Sequence, residues 1–186
     1  MRESSQGIQT IPIRNELFAR REIQCDGIID DGATYSLCLQ LRFLASEDPD
    51  EPITVFFNSP GGSVQSGLAI YDTMQAISCP VRTVCVGMAA SMAALLFVAD
   101  DERLMMPHAR VMIHDPLIAG GVGGSALELA TVANNIMRTR QITAEVLARH
   151  TGHTVEEVLA ITDHDAWFEA PEAVEWGLAD RVISSL

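Results

Sequence analysis

The chain alternates short apolar runs with longer stretches in which apolar residues recur every three or four positions. The short runs predict buried strands at residues 22–29, 53–57 and 81–86. The longer stretches, the first of them capped by Asp30–Gly32, predict helices at residues 33–45, 64–77 and 88–96. Because strands and helices alternate, the pattern predicts an α/β fold around a parallel sheet with right-handed crossovers.

The second half of the chain contains one predicted helix that is longer than the others. Two short apolar runs, at 103–106 and 109–113, predict strands before it. A Ser125-x-x-Glu128 capping pattern opens the long helix, which is predicted over 126–150 and closed by Gly152. Its length of roughly 37 Å exceeds the radius of gyration of about 16 Å expected for a domain of this size. We therefore expect this helix to protrude and to pack against a partner.

The two ends of the chain give weaker patterns. The first nine residues are polar and are expected to be mobile, and Asn15 is predicted to cap a short helix over 16–20. After the long helix the pattern predicts a helix capped by Thr154, a loop at 162–169, a helix between Pro171 and Gly177, and a strand at 178–183.

Composition narrows the class of protein. A chain of 186 residues with 48% hydrophobic residues is long enough for one domain with a proper core. It has no long uncharged apolar run and no secretory signal pattern, and its 4 cysteines lack metal-binding or paired spacing. We therefore expect free thiols and a cytoplasmic location. A net charge of −13 argues against nucleic acid and anionic membranes as partners.

Three side chains are candidates for acyl transfer, and two of them follow predicted strands. Ser91 lies in an Ala-Ser-Met segment and can act as a nucleophile, and His114 directly follows an apolar strand and is the best candidate base. Asp163 or Asp165 can orient that histidine. In parallel α/β sheets, reactive groups collect at the carboxyl ends of the strands, so we expect Ser91 and His114 to converge with residues 58–62, which also follow a predicted strand. Taken singly, the serine is equally typical of a helix cap, the histidine of a structural residue and the aspartates of a solvated turn.

The Gly61–Gly62 pair is a further candidate. Glycines let the backbone approach a substrate and point N–H groups at it, although the same pair is typical of a tight turn. The segment does not match a phosphate-binding P-loop, and Ser91 does not lie in a G-x-S-x-G elbow.

Taken together, four segments resemble the proteolytic subunits of the Clp protease family, ClpP. The segments read FNSPGGSVQSGLAIYDTMQ, GMAASMAALL, ARVMIHDPL and DAWFEAPEAVEWGLAD, and the match as a whole extends over nearly the whole chain, from about residue 22 to residue 183. The resemblance implies a spiral of strand–helix repeats, as in the ClpP and crotonase folds. It divides the chain into a divergent N-terminal segment, 1–21, and a single peptidase domain, 22–186, with a handle helix at about 126–150.

The resemblance also implies a role for each candidate residue. Ser91 matches the nucleophile, His114 the general base and Asp165 the third member of the triad. Gly62 and Met92 match the residues whose N–H groups form the oxyanion hole. An extended substrate is expected to pair with the flexible segment before the handle helix, at Gly120, Gly121, Val122 and Gly123.

At the level of the whole protein, the resemblance implies a serine endopeptidase that cleaves unfolded polypeptides inside a compartment. The subunit is expected to self-associate into stacked seven-membered rings and to use no metal or nucleotide of its own. ATP would be used by a partner, an AAA+ unfoldase ring.

Two other functions are compatible with parts of the pattern. Crotonase-type acyl-CoA enzymes share the architecture and an oxyanion hole made of two N–H groups, but they use carboxylates as acid and base. A non-catalytic ring subunit would share the fold and serve assembly alone. Reaction of Ser91 with a serine-directed phosphonate distinguishes the first alternative from a peptidase, and cleavage of short peptides by the assembled protein distinguishes the second.

Overall fold

The computed structural model describes residues 2–4, 7–9, 11–100, 102–118 and 120–186. These residues form strands and helices that alternate through most of the chain. The strands are β1 (Arg2–Ser4), β2 (Gly7–Gln9), β3 (Glu22–Ile29), β4 (Ile53–Gly62), β5 (Val81–Ala90), β6 (Glu102–Met105), β7 (Arg110–Ile113), β8 (Ala166–Glu169) and β9 (Arg181–Val182). The helices are α1 (Ile13–Phe18), α2 (Asp31–Glu47), α3 (Val64–Ala76), α4 (Met92–Phe97), α5 (Ala126–Thr151), α6 (Val155–Ile161) and α7 (Ala170–Glu175).

The main sheet is parallel except at one edge. Strands β3, β4, β5, β6 and β9 follow one another side by side, and each pairs in parallel with its neighbour. β5 changes partner along its length, because residues 82–85 pair with β6 and residues 88–90 pair with β7. β8 then pairs antiparallel with β7. The structure therefore confirms the α/β class, but the all-parallel prediction is wrong for β8.

Helix α4 lies at the centre of the hydrophobic core. All of its side chains, from Met92 to Phe97, are buried, and Phe97 packs edge-on against Phe57 of β4 at a centroid distance of 6.2 Å. Thr83 of β5 donates a hydrogen bond from its hydroxyl to the Phe97 carbonyl at 2.8 Å. The C-terminal end of α4 is thus fixed to β4 and β5 by packing and by a buried hydrogen bond.

Three capping patterns of the sequence act as predicted, but Asn15 does not cap a helix, because it lies inside α1, which begins after Pro12. The Asp30 side chain accepts a hydrogen bond from the Ala33 N–H at 2.8 Å and caps α2. Ser125 and Glu128 form a capping box at the start of α5, and Gly152 ends this helix in the left-handed conformation with φ 79°. These caps satisfy N–H and C=O groups that have no partner within the helix.

The strand predicted at 178–183 is shorter, since β9 covers only Arg181–Val182, and four further predictions are wrong for a common reason. β4 continues through the predicted turn to Gly62, and β5 continues through Gly87 to Ala90, so α4 begins after Ser91 rather than before it. The predicted loop at 162–169 contains β8. β1 and β2 pair in the N-terminal stretch that was expected to be mobile, of which Met1, Ser5 and Gln6 lie outside the described residues. In each case, pairing with a distant strand or hairpin partner overrides the local pattern.

The long helix α5 leaves much of its surface uncovered. Its first buried side chain is Ala144, and Leu127 and Met137 are 82% and 58% exposed. The N-terminal part of α5 therefore has little packing against the rest of the described chain, as the prediction of a protruding helix requires.

Within the residues described here, no helix is both long enough and apolar enough to cross a membrane.

Candidate active site

Ser91 occupies the sharp turn between β5 and α4. Its backbone has φ 55° and ψ −123°, and only one other described non-glycine residue, Arg21, has a positive φ. Its N–H donates to the Met112 carbonyl of β7 at 2.8 Å. Ser91 precedes the first residue of α4, but its side chain makes no capping hydrogen bond. The hydroxyl instead lies 2.8 Å from His114 Nε2.

His114 is brought to the serine by strand pairing. β5 and β7 are parallel, with Ala90 opposite Met112, so Ser91 and His114 both lie just beyond the carboxyl ends of adjacent strands. The imidazole is largely buried, with 14% of the side chain exposed. The predicted convergence of these two residues is therefore present in the structure.

Asp165 reaches the same histidine because β8 is antiparallel to β7. In this pair Ile113 lies opposite Ala166, which places His114 and Asp165 one step beyond the paired residues. The Asp165 Oδ1 atom lies 3.2 Å from His114 Nδ1. Asp163, the other aspartate that the sequence left open, binds Arg140 at 2.9 Å instead. Of the two aspartates, Asp165 is therefore the one in contact with His114.

The two contacts of His114 fix a direction for proton transfer. A carboxylate beside Nδ1 favours the tautomer in which Nδ1 carries the proton, which leaves Nε2 free to accept one from the Ser91 hydroxyl. A hydroxyl beside a basic nitrogen that is itself oriented by a carboxylate is the arrangement used for nucleophilic catalysis.

The glycine pair at the end of β4 is closely packed, with Gly61 against the serine segment and Gly62 against Ile29 of β3. A Cβ atom on Gly61, which has φ 93°, would lie 2.6 Å from the Ala90 carbonyl oxygen and 3.0 Å from the Met92 nitrogen. A Cβ atom on Gly62 would lie 2.2 Å from the Ile29 carbonyl oxygen. The close approach therefore requires glycine at both positions.

Met92 contributes the backbone N–H that follows the serine. It is the first residue of α4, and the first N–H groups of a helix have no acceptor within the helix. The positive end of the helix dipole lies at the same place, so the turn after Ser91 favours negative charge.

An apolar pocket opens beside Ser91 and His114. Its apolar lining consists of Val64, Met92, Leu95, Ile113, Pro116 and Leu147, and Thr143 also lines it. The Thr143 hydroxyl donates to carbonyl groups of its own helix, at 3.1 Å to Thr139 and 3.1 Å to Arg140, so it is satisfied without a substrate. The pocket is therefore suited to an apolar side chain.

The predicted substrate-binding residues lie in the exposed segment between β7 and α5. Cβ atoms on Gly120, Gly121 or Gly123 would meet no atom within 4 Å, and Val122 is 43% exposed. None of these residues belongs to a strand. The described residues of the segment thus have open space around them, and their role in substrate binding stays a prediction.

Two buried cysteines are poor nucleophiles, and the described residues contain no cluster of possible metal ligands. Burial raises the pKa of the Cys25 and Cys85 thiols to about 12, which leaves almost no thiolate near neutral pH. No group of 3 or more His, Cys, Asp and Glu residues within the described ranges could hold a metal ion.

Sequence reasoning missed Asp115 and Arg140, which bind each other beside His114. Asp115 directly follows the candidate base in the sequence, and this position could have drawn attention to it. Nothing in the sequence links it to an arginine 25 positions away.

Comparison with known proteins gives a consistent result. A family described as Clp protease matches residues 5–185. A curated relative from Nocardia farcinica, "ATP-dependent Clp protease proteolytic subunit 2", is 47% identical over 174 residues, which cover 92% of this chain and 85% of the relative. A protein with the same name from Rhodococcus jostii is 44% identical over 174 residues, covering 92% of this chain and 88% of that protein.

Proposed function

Because this chain belongs to the Clp protease family, we propose that Ser91, His114 and Asp165 are the catalytic triad of a proteolytic subunit. The protein is a serine protease subunit of a compartmentalised protease. The observation that carries the assignment of residues is the continuous chain of contacts from Ser91 Oγ through His114 to Asp165 Oδ1, at 2.8 and 3.2 Å.

The contacts support an acyl-enzyme mechanism. His114 Nε2 takes the hydroxyl proton as Ser91 Oγ forms a bond to the carbonyl carbon of the scissile peptide. Asp165 holds the ring through Nδ1–H and stabilises the imidazolium. The tetrahedral intermediate collapses, the C–N bond breaks, and His114 returns the proton to the leaving amine. Water then repeats the sequence on the ester and frees the acid.

Two backbone N–H groups, of Gly62 and Met92, are proposed to bind the oxyanion. The start of α4 supplies the Met92 group, and the glycine pair brings the end of β4 against the serine turn. Loss of one such donor costs about 3 kcal/mol of transition-state stabilisation in comparable enzymes.

The surroundings of the triad support a polypeptide substrate. The apolar pocket beside Ser91 would receive the side chain on the acyl side of the cleaved bond. The segment with Gly120, Gly121, Val122 and Gly123 would pair with the extended substrate as an added strand.

Assembly and location are proposed on family grounds. The names of the relatives include the words ATP-dependent, which supports an AAA+ unfoldase partner that uses the ATP, while this subunit needs no cofactor. We propose stacked seven-membered rings joined through the handle helix, with residues 1–21 as a separate N-terminal segment and 22–186 as one domain. The unpaired cysteines at 25, 38, 79 and 85 support a reducing, cytoplasmic setting.

The two alternative functions are disfavoured. The relatives are named as proteolytic subunits rather than acyl-CoA enzymes. A subunit that serves assembly alone would not need a serine, a histidine and an aspartate in mutual contact.

The test is the substitution Ser91→Ala, with Ser46→Ala as a matched control on the exposed surface. We expect Ser91→Ala to abolish cleavage of a short fluorogenic peptide, because it removes the attacking oxygen, and to leave assembly unchanged. Ser46→Ala should retain full activity.

A serine-directed phosphonate should add once per subunit, at Ser91, as read by mass spectrometry of peptides. Turnover at the wild-type rate in purified Ser91→Ala protein, or phosphonate on other serines alone, would contradict the proposal.

A further inference from the structure

An arginine on α5 joins the two chain segments that carry His114 and Asp165. Arg140 Nε donates to Asp115 Oδ2, and Arg140 Nη2 donates to Asp163 Oδ1 at 2.9 Å and to the Leu159 carbonyl at 3.2 Å. Asp115 is the residue after His114, and Asp163 lies two residues before Asp165. One guanidinium group therefore bridges both sides of the candidate active site.

Thr162 adds hydrogen bonds to the junction that Asp115, Arg140 and Asp163 form. The Asp115 N–H donates to the Thr162 carbonyl at 2.9 Å, and the Thr162 hydroxyl shares its proton between Asp115 Oδ1 and the Val158 carbonyl, each at 2.9 Å. Thr162 is buried. Asp115 thus accepts from Thr162 on one oxygen and from Arg140 on the other, so both oxygens of its carboxylate have partners within the junction.

The two backbone segments that carry His114 and Asp165 are held together on both sides of these residues. On one side, the β7–β8 ladder ends at the pair Ile113 and Ala166. On the other side, Arg140 and Thr162 bind Asp115. The Asp165 side chain itself is 64% exposed, so water competes for its carboxylate. Contact with the histidine therefore depends on how firmly the backbone on both sides is held.

We infer that Arg140 is a positioning residue that holds Asp165 against His114 by binding Asp115 and Asp163 together. The inference rests on the proposed function of the triad. The planar guanidinium suits the task, because its fork of donors can bind two carboxylates at fixed angles whereas an ammonium group acts as a point charge. The hydrogen bond to Asp115 raises the pKa of Arg140 above its ordinary value, so the charge persists at any working pH.

The first test measures peptide cleavage by Arg140→Met and Arg140→Lys. We expect Arg140→Met to lower kcat by roughly ten- to a hundredfold, the size of effect produced by small misplacements of catalytic groups. KM should change less than twofold, because Arg140 does not line the apolar pocket. Arg140→Lys should fall between this variant and the wild type, since lysine retains the charge but not the fork.

Arg103→Met is the matched control. Arg103 is also partly buried, binds the Asp180 carboxylate and donates to the His150 carbonyl of α5 at 2.8 Å. It contacts neither Asp115 nor the segment before Asp165. We expect kcat per active site to stay within twofold of the wild type, even where this variant unfolds more easily.

A double-mutant cycle with Asp165→Asn tests whether the effect passes through Asp165. The readout is the rate of Ser91 phosphonylation, followed by intact-protein mass spectrometry, because this signal excludes contaminating peptidases. In the Asp165→Asn background, Arg140→Met should slow the reaction less than twofold further, since the carboxylate that it positions is already gone. An equal slowing in both backgrounds would overturn the inference.

Other outcomes are equally decisive. Unchanged kcat in Arg140→Met would overturn the inference, as would a loss fully explained by a smaller fraction of assembled protein. Should Arg140→Met fail to assemble, Asp115→Asn, which keeps the shape but replaces the charged acceptor of Arg140 with a neutral one, takes its place. A kcat equal to wild type in that variant would also overturn the inference. Wild-type protein that neither cleaves peptide nor reacts at Ser91 would instead refute the proposed function.

Discussion

Ser91 adopts a backbone conformation that few residues other than glycine adopt. With φ 55° and ψ −123°, such a residue costs on the order of 1–3 kcal/mol. The conformation persists because both backbone polar groups of Ser91 are hydrogen-bonded. Its N–H donates to the Met112 carbonyl at 2.8 Å, and its carbonyl accepts from the Ala94 N–H at 3.0 Å. The strained turn carries the chain from β5 into α4 and presents the hydroxyl to His114. The position of the nucleophile is thus set by the backbone.

Gly61→Ala should damage this turn. An added methyl group would lie 2.6 Å from the Ala90 carbonyl oxygen and 2.8 Å from Ser91 Cβ, and the backbone at φ 93° is strained for alanine. We expect kcat/KM to fall by roughly a hundredfold, because the serine or the adjacent N–H groups must shift. Peptide cleavage per assembled particle measures the effect.

Gly32→Ala serves as the control for that substitution. Gly32 lies in the first turn of α2, where a Cβ atom would meet only Asp30 Oδ1 at 3.3 Å. Activity should therefore be unchanged. Full activity in Gly61→Ala would mean that the glycine is a turn residue only and that the approach to Ser91 has no catalytic role.

At the scale of elements, the site depends on how α4 is anchored to the sheet. The helix has only 6 residues and is buried throughout, so it is too short to be stable alone. Its last carbonyl group, at Phe97, accepts from the fully buried Thr83 hydroxyl at 2.8 Å. That bond joins the C-terminal end of the helix to β5, the strand that leads into Ser91.

Thr83→Val tests this anchor. Valine has almost the same shape but cannot donate, so a buried carbonyl loses its partner, and we expect a loss of about 1–3 kcal/mol in the free energy of unfolding. Urea unfolding at fixed protein concentration measures it. Thr131→Val is the control, because the exposed Thr131 hydroxyl donates to the Leu127 carbonyl of its own helix at 2.9 Å, and it should change stability by less than about 0.5 kcal/mol. Equal effects of the two substitutions would contradict a special role for Thr83.

Helices were easier to predict from the sequence than the ends of strands. The bounds of α2, α3, α5 and α6 were predicted to within two residues, because caps such as Asp30, Ser125 and Thr154 act locally. The Gly61–Gly62 end of β4 and the alanine-rich end of β5 lack strand-forming residues. They are strands because β3 and β7 lie beside them.

The candidate site was predictable in part for the same reason. Ser91 and His114 follow strands that the apolar pattern identifies, and their contact follows from parallel pairing. The choice of Asp165 over Asp163 depended on the family resemblance, because β8 is only 4 residues long and its strand conformation arises from antiparallel pairing with β7. The Arg140 bridge depends on three separate segments and leaves no local signal.

At the scale of the whole molecule, charge and exposed apolar surface act in opposite directions. A net charge of −13 on each chain makes neighbouring copies repel one another at long range. Exposed leucine and methionine side chains on the N-terminal part of α5 favour contact at short range. Assembly of an acidic subunit therefore requires short-range apolar contacts that are strong enough to outweigh this repulsion, and screening by salt assists it.

Leu127→Glu combined with Met137→Glu should separate the stacked rings that we propose. The two side chains are 82% and 58% exposed in the single chain, and burying each in a partner's surface would contribute roughly 1.5–3 kcal/mol, repeated at every subunit. Carboxylates at these positions replace that gain with the cost of removing charges from water and with added repulsion. Sedimentation velocity should show a particle of half the wild-type mass, with less peptide cleavage per subunit.

Leu186→Glu, at a leucine that is 80% exposed and remote in sequence from α5, should leave the particle intact. An unchanged sedimentation coefficient in the double variant would remove α5 from the interface between rings, because no apolar contact of that size tolerates two carboxylates in every subunit.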